Sequence, residues 1–183
     1  MTPITPDTKD WTWVLERTCS ECGFDVTRFP RDQVGSMIRD NSSQWRSVLE
    51  HPKVRERPSD DKWSALEYAC HVRDVFRLYS ERLQMMLTQD DPTYPNWDQD
   101  EAAVAGRYGE QDPKLVAPEL AAAAGELADR FDGVSGSRWE LTGNRSDGAS
   151  FTIESFARYL IHDPVHHLHD VRTGFEELGE PTA

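Results

Sequence analysis

The sequence lacks the excess of positive charge that most proteins need to bind nucleic acids or anionic membranes. It contains 20 Lys and Arg against 33 Asp and Glu, which gives a formal net charge of −13. A surface of that sign repels phosphate groups, so we expect no nucleic-acid partner and no binding to a lipid surface. Cysteine is also scarce: three thiols are an odd number and do not form a disulfide framework.

Long apolar segments are missing as well. No run approaches the length needed to cross a bilayer, and residues 1–11 lack the charged-then-apolar pattern of a signal peptide. Together with cysteine usage that suits a reducing compartment, these absences predict a cytoplasmic protein. The 183 residues are enough for one domain with a substantial core.

What the sequence does contain is helical periodicity. Apolar residues recur at helical spacing in four segments, of which the second has neither Gly nor Pro. Thr152 offers an N-cap to the last of them. The stretch between Gln89 and Pro113 loses the periodicity and is predicted to be a loop with at most a short helix. The four predicted helices are 31–50, 61–87, 113–131 and 152–174.

Sustained strand alternation is absent, although turn residues at Gly143-Asn144 and Asp147-Gly148 allow a small hairpin before the last helix. The pattern therefore predicts an all-α fold, a four-helix bundle with one long connection. Residues 1–30 are less periodic and are expected to form an extension that lies over the bundle formed by 31–177.

Histidines are concentrated in the last predicted helix, where four of the chain's six fall within residues 162–169. His162 and His166 are four apart and share one helix face, with His169 one turn later, while His167 points about 100° away from His166. Two imidazoles at this spacing can chelate one divalent ion.

His71 lies in the apolar second helix and needs a partner there, because a buried unpaired imidazole is costly. Taken alone it could be a hydrogen-bonded core histidine. Together with His162 and His166 it predicts a catalytic type of metal site, with three protein ligands and a position left for water or substrate. Asp74 and Asp170 stand at helical spacing to orient the rings, although each could equally be a solvated surface charge.

Pro164 separates the two predicted ligands of the last helix. Because proline lacks an N–H and clashes with the carbonyl four residues back, the helix is expected to kink, bulge or restart there. If Asp163 capped a restarted helix, His166 with His169 or Asp170 would become the better ligand pair.

A second candidate metal motif is Cys19-Ser-Glu-Cys22-Gly, which resembles the knuckle of zinc-ribbon sites. No second CxxC exists to complete it. The two thiolates could be joined by histidines such as His167 or His169, or by a second chain. They could also form a redox pair, or simply occupy a turn as free thiols.

Three arginines are candidates for binding a carboxylate of a substrate or thiol cofactor: Arg73, Arg145 and Arg158. Arg73 follows His71 by two residues, and Arg158 precedes His162 by one helical turn. Each could instead be a surface ion-pair partner.

The segment WSALEYACHVRD, residues 63–74, followed near the end by HDPVH, residues 162–166, resembles the DinB-like superfamily. This superfamily of four-helix-bundle proteins, regarded as metalloenzymes, includes the YfiT-type proteins and the mycothiol-dependent maleylpyruvate isomerases. The resemblance covers roughly residues 31–175. It implies that His71, His162 and His166 bind a divalent metal, zinc in the first place and nickel in the second.

The resemblance also implies a function. Members with known activity use low-molecular-weight thiols as S-transferases or isomerases, so we expect a metal-dependent enzyme that joins a small thiol to an electrophilic substrate. Relatives often pair through helices, which makes a homodimer an expectation. The alternatives are a metal-dependent hydrolase, a non-catalytic metal-binding or stress-response module, and a pH-sensitive histidine face without metal.

Overall fold

The computed structural model of the protein describes residues 11–179. The expectations for residues 1–10, namely the lack of a signal pattern and the start of the extension, lie outside the described residues. The helices are α1 Val34–Leu49, α2 Ala65–Thr88, α3 Gln99–Ala105, α4 Pro113–Asp132 and α5 Ile153–Glu177, and the strands are β1 Thr93–Tyr94, β2 Thr142–Arg145 and β3 Ser150–Thr152.

The four long helices form a bundle in which α4 packs between α1 and α2, while α5 packs against α1 and α2 on the opposite side. Their buried faces form one continuous core, which includes Trp45, Phe76, Leu127 and Phe156. The predicted all-α four-helix bundle is confirmed. The long connection between α2 and α4 contains the short helix α3 and a 3-10 turn at Tyr108–Glu110.

The two helices that contain most of the candidate ligands both begin with a capping box. Ser64 and Glu67 exchange side-chain and backbone hydrogen bonds at the start of α2, so this helix begins a turn later than its predicted start at residue 61. Thr152 and Ser155 do the same at the start of α5, which confirms the predicted N-cap.

Helix α5 continues through Pro164 without a restart and ends at Glu177, beyond the predicted end near Gly174. The alternative in which Asp163 caps a new helix is therefore wrong. Pro164 is buried, and its carbonyl accepts a hydrogen bond of 2.9 Å from Nδ2 of Asn41 on α1. Packing against α1 thus outweighs the loss of one helical hydrogen bond, and the ligands on either side of the proline keep helical spacing.

The predicted hairpin is present as the antiparallel pair β2 and β3. Its turn lies at Asp147-Gly148, where Gly148 has φ +100°. Gly143 and Asn144 lie within β2 and not in a turn, which corrects that part of the expectation. Strand β1 was not predicted from the sequence; it pairs parallel with β2 and ties the long connection to the hairpin.

Residues 11–30 lie along α5 with little regular structure beyond a 3-10 helix at Thr12–Leu15. Arg158 of α5 holds this extension through Nη1, which donates to the carbonyls of Val26 and Phe29. Among the helices of residues 11–179, none is long and apolar enough to span a membrane.

Candidate metal centre

Two pairs of metal-ligating side chains alternate along one stretch of α5. His162 and His166 form the first pair, and Asp163 and His167 form the second. Each pair has the four-residue spacing that places both side chains on one face, and the two faces are about 100° apart. From elsewhere in the chain, the structure brings two cysteines to the first pair and one histidine to the second.

The first group, here the α2 cluster, consists of His71, Asp163 and His167. Oδ1 of Asp163 lies 3.4 Å from Nε2 of His71 and 3.5 Å from Nε2 of His167. These separations are longer than an ordinary N–H···O hydrogen bond. They match the distance of about 3.4 Å expected between an oxygen and a nitrogen that share one tetrahedral zinc ion.

Aromatic rings and a carboxylate fix the two imidazoles of the α2 cluster. His71 is 1% exposed and lies between the rings of Trp63 and Trp97, at centroid distances of 5.3 and 5.5 Å. His167 donates from Nδ1 to Oδ2 of Asp170 over 3.0 Å, which leaves its Nε2 directed at Asp163. A second carboxylate that holds the far nitrogen of a ligand histidine is typical of metal sites.

The charges of the α2 cluster are set by burial and by mutual contact. Burial lowers the pKa of His71, so this ring is neutral near pH 7. Burial opposes ionisation of Asp163, but the adjacent His167 and His71 outweigh it and hold the pKa of Asp163 well below its usual range. Burial likewise disfavours a charged His167, yet Asp163 and Asp170 raise its pKa to about 10. A cation entering the cluster would displace that proton.

Two buried polar atoms of the α2 cluster have no hydrogen-bond partner within residues 11–179: Nδ1 of His71 and Oδ2 of Asp163. A buried carboxylate oxygen without a donor is costly for a protein, whereas a divalent cation held by both oxygens of Asp163 would satisfy it. Neutral imidazoles and a carboxylate are also ligands that zinc and similar ions accept. The donor set therefore fits a divalent metal with at least one coordination position left for another molecule.

The second group, here the knuckle cluster, consists of Cys19, Cys22, His162 and His166, whose ligand atoms lie within 4.8 Å of one another. Sγ of Cys19 is 3.7 Å from Nδ1 of His166, and Sγ of Cys22 is 3.8 Å from Nε2 of His162. Burial, helped by the neighbouring His166, lowers the pKa of His162 to about 4. Burial also lowers the pKa of His166 and raises the pKa of Cys22 to about 11.

A cleft of about 320 Å³ opens beside both clusters. His71, Asp163 and His167 line it, as do His162 and His166. Much of the remaining wall is aromatic, a character common in sites that bind small molecules. The aromatic residues of the wall are Trp11, Trp63, Tyr68, Tyr79, Trp97 and Tyr159.

Two arginines complete the wall, and they differ in their partners. Arg145 forms an ion pair with Asp147 at 2.9 Å. Arg82 is 5% exposed, donates to the carbonyl of Pro95 over 2.7 Å and pairs with no carboxylate within the described part of the chain. Its guanidinium lies over the ring of Tyr94 at 4.8 Å. A buried cation without a counter-ion beside a cleft is suited to binding an anionic group.

The structure divides the predicted triad between the two clusters. His71 lies with Asp163 and His167, whereas His162 and His166 lie with the two cysteines. The knuckle cysteines were expected to meet histidines such as His167 or His169. Instead His167 belongs to the α2 cluster, and His169 is exposed and belongs to neither group.

The two predicted orienting carboxylates have different positions. Asp170 contacts Nδ1 of His167 at 3.0 Å and Nε2 of His166 at 3.6 Å, so it touches both clusters. Asp74 belongs to neither cluster and does not line the cleft. It pairs with Arg73 and Arg77 and accepts a hydrogen bond of 2.7 Å from the hydroxyl of Tyr108.

Of the three predicted substrate-binding arginines, Arg145 lines the cleft, whereas Arg73 and Arg158 do not. Arg73 pairs with Asp74 and with Glu119 at 2.8 Å each, and Arg158 pairs with Glu154 at 2.9 Å. Both guanidinium groups are therefore occupied by acids of the scaffold. Arg82 was not singled out from the sequence because nothing in the periodicity of α2 shows which way its side chain would turn.

Asp163 is a candidate ligand that was not predicted from the sequence. A signal for it was present: Asp163 and His167 repeat the four-residue spacing of His162 and His166, one position later. Two adjacent candidate ligands, each repeated four residues later, indicate that one helix presents ligands on two faces and not on one.

Comparison with known proteins identifies the family of the chain. No curated protein matches the chain. Its fold is similar to that of a solved structure described as "YfiT from Bacillus subtilis is a probable metal-dependent hydrolase with an unusual four-helix bundle topology", with a TM-score of 0.73 and 15% identity over 82% of this chain and 89% of that one. The profile of the DinB superfamily matches residues 37–171, which contain the whole α2 cluster but neither knuckle cysteine. Because the match spans most of the sequence, the chain belongs to the DinB superfamily.

Proposed function

We propose that the protein is a divalent-metal-dependent enzyme in which His71, Asp163 and His167 hold the ion and a small thiol is the nucleophile. The observation on which this rests is the convergence of three ligand atoms at 3.4 and 3.5 Å in the wall of an aromatic cleft. Three protein ligands leave coordination positions for a substrate, as in catalytic and not structural sites.

Each residue around the α2 cluster has a defined role in this proposal. A divalent ion bound there would supply Lewis acidity, which deprotonates a coordinated thiol and polarises an electrophilic group. Trp63 and Trp97 keep His71 in one orientation, and Asp170 keeps the proton of His167 on Nδ1 so that Nε2 faces the ion. The aromatic wall limits the access of water to the reacting groups.

Arg82 indicates the class of substrate. Its buried guanidinium lines the same cleft and pairs with no carboxylate among the described residues, so we propose that it binds a carboxylate or a similar anionic group of the thiol or of the electrophile. A small anionic molecule would then be fixed at one end by Arg82 and at the other by the ion.

A thiol is favoured over water because the carboxylates that touch the cluster are already engaged. Asp163 is a ligand, and Asp170 accepts the hydrogen bond of His167, so neither is free to act as a general base. A thiol coordinated to the ion is deprotonated outright, whereas coordinated water keeps a pKa of about 7, so the thiol depends less on such a base. The resemblance of residues 63–74 and 162–166 to thiol-using proteins supports the same choice.

Hydrolysis is the second candidate, because the similar structure from Bacillus subtilis is described as a probable metal-dependent hydrolase. It would use the same three ligands and the same cleft. Its nucleophile would be water, whose pKa a bound ion would lower to about 7.

The test is a titration of cobalt-substituted protein with mercaptoacetate, a thiol that also has a carboxylate. We expect the visible spectrum of cobalt to change on addition, and the change to be absent in Asp163→Ala. Mercaptoethanol should cause a similar change at higher concentration, because it lacks the anionic group for Arg82.

Acetate serves as the control ligand, since it has the carboxylate without the thiol. A spectrum that responds to acetate and not to either thiol would reject the thiol and favour hydrolysis. A spectrum that responds to none of these molecules would show a closed coordination shell, and the protein would then be a metal-binding module without catalysis.

A further inference from the structure

We propose that Cys19, Cys22, His162 and His166 form a second metal site, a closed tetrahedral zinc site that holds residues 11–26 against α5. The two cysteines lie outside the range matched by the family profile, and the site shares no ligand with the α2 cluster. The inference is therefore independent of the proposed function.

The distances in the knuckle cluster are those of zinc ligands and not of good hydrogen bonds. Zn–S bonds of about 2.3 Å and Zn–N bonds of about 2.0 Å, at a tetrahedral angle, place sulfur and nitrogen about 3.6 Å apart. The two cysteine–histidine pairs are 3.7 and 3.8 Å apart. All four ligand atoms lie within 4.8 Å of one another, as ligands around one ion must.

The backbone between the cysteines has the form of a metal-binding turn. The N–H of Gly23 donates to the carbonyl of Cys19 over 2.9 Å, and the N–H of Cys19 donates to the carbonyl of Phe24 over 2.9 Å. Gly23 has φ +74°, a conformation that glycine adopts without strain. The chain thus reverses directly after Cys22, and both thiols face α5.

Two thiolates and two neutral imidazoles complete a tetrahedral shell, so no position remains for a substrate. Binding would release the two thiol protons, and the two negative charges would balance the ion. Nε2 of His166 lies 3.6 Å from both Glu21 and Asp170, which leaves Nδ1 toward Cys19. Carboxylates in this position orient a ligand histidine and strengthen its binding.

The knuckle site would also shape the cleft. Trp11 packs against His162 and His166 with ring centroids 5.5 and 5.0 Å away, and both Trp11 and Glu21 line the cleft. The ion would therefore fix one wall of the cleft without taking part in any reaction there.

The first measurement is the metal content of the full chain, made without a purification tag and loaded with zinc. We expect about two ions per chain in the wild type, about one in Cys22→Ala and about one in His71→Ala. Cys70→Ala is the matched control: this thiol is also buried, but it contacts the carbonyl of Tyr108 and lies in neither cluster. It should keep both ions.

Cobalt distinguishes the two sites by their ligands. Thiolate ligation produces intense charge-transfer absorption in the near ultraviolet, which should persist in His71→Ala and disappear in Cys22→Ala. One ion per chain in the wild type, with no thiolate absorption, would overturn the knuckle site and leave the α2 cluster standing. Absorption retained by Cys22→Ala would also overturn it.

Trypsin provides a readout that does not depend on metal counting, because Arg17 and Arg28 are exposed on either side of the knuckle. Cleavage at these arginines should be several-fold faster in Cys22→Ala than in His71→Ala, since only the first variant loses the ion that holds the extension. Equal rates would contradict the proposal. So would a Cys19–Cys22 disulfide in freshly purified wild type, detected as two thiols that resist alkylation until reduced.

Discussion

The two faces of α5 that bear candidate ligands have the same four-residue spacing but different donor sets. His162 and His166 face the extension, where two thiols complete a set of four, while Asp163 and His167 face α2, where His71 completes a set of three. The helix contributes two side chains to each. What differs is the number and the kind of donors that the rest of the chain brings to each face.

This difference shows which features of a metal site are determined by one helix and which depend on the elements packed against it. A four-residue spacing makes a chelating pair, but it does not decide whether the site is closed or open. A short turn with two cysteines can approach the helix closely enough to supply the two remaining ligands of a tetrahedral ion. A rigid neighbouring helix can present one ring and leaves space beside it, and here that space is the cleft.

The largest effect on metal binding should come from removing one ligand from each face, at two positions adjacent in the sequence. We expect Asp163→Ala to abolish metal binding at the α2 cluster and His162→Ala to abolish it at the knuckle cluster. Loss of a direct ligand should weaken each site by more than the roughly 10–100-fold that follows loss of an orienting partner. Isothermal titration of metal-free protein with zinc measures both sites.

His169→Ala is the control for these two variants, because His169 is exposed and belongs to neither cluster. It should titrate like the wild type. If Asp163→Ala and His162→Ala each removed both ions, the two faces would form one coupled site and the comparison would fail.

A smaller effect is expected from the carboxylates next to the ligands. Asp170→Asn removes the charge that holds Nδ1 of His167 at 3.0 Å and should weaken zinc at the α2 cluster about 10–100-fold. Competition with a metallochromic chelator measures this affinity.

Glu21→Gln is the matched change on the other face, where Glu21 lies 3.6 Å from Nε2 of His166. It should leave the α2 cluster unchanged. Asp170 also lies 3.6 Å from Nε2 of His166. If Asp170→Asn weakened zinc binding more at the knuckle cluster than at the α2 cluster, Asp170 would mainly orient His166 and not His167.

The sequence predicted the bundle and its helices well, because each long helix repeats its apolar residues over several turns and three of them begin with a cap. It predicted less about the strand β1, whose two residues have no pattern of their own and pair only with a distant segment. It also misjudged Pro164, because the contact with Asn41 that accompanies an unbroken helix comes from another helix.

The residue types of the candidate site could be predicted from the sequence, but their grouping could not. His162 and His166 were predicted from their spacing and His71 from its apolar surroundings, and each lies in a cluster. Which of two adjacent faces of α5 meets His71 depends on the rotation of α5 about its own axis. That rotation is set by packing over the whole bundle, which no local pattern encodes.

The third prediction concerns Arg82 in the wall of the cleft beside the α2 cluster. Arg82→Met keeps the length of the side chain but removes the cation, so binding of mercaptoacetate to cobalt-substituted protein should weaken by about 1.5 kcal/mol, about tenfold. Binding of mercaptoethanol should change little. Arg158→Met is the control, because its guanidinium contacts Glu154 and the extension and does not line the cleft. Equal weakening of both thiols would remove Arg82 as an anion-binding residue.

The smallest effects should come from the caps of the two helices that hold the ligands. Ser64 is 1% exposed and also donates to Glu67 over 2.8 Å, whereas Thr152 is half-buried and pairs with Ser155. We expect Ser64→Ala to cost about 1–2 kcal/mol of the free energy of unfolding and Thr152→Ala about 0.5–1 kcal/mol, measured by urea denaturation at saturating zinc.

Neither cap variant should change the number of bound ions, because the caps position whole helices and touch no ligand. Ser43→Ala provides the baseline, since Ser43 is exposed and donates to the carbonyl of Asp40 within α1, and it should cost close to nothing. If Ser64→Ala selectively released the ion of the α2 cluster while Thr152→Ala released neither, the start of α2 would be part of what positions His71. Metal binding at the α2 cluster would then depend on the capped start of α2, whereas metal binding at the knuckle cluster would not depend on either cap.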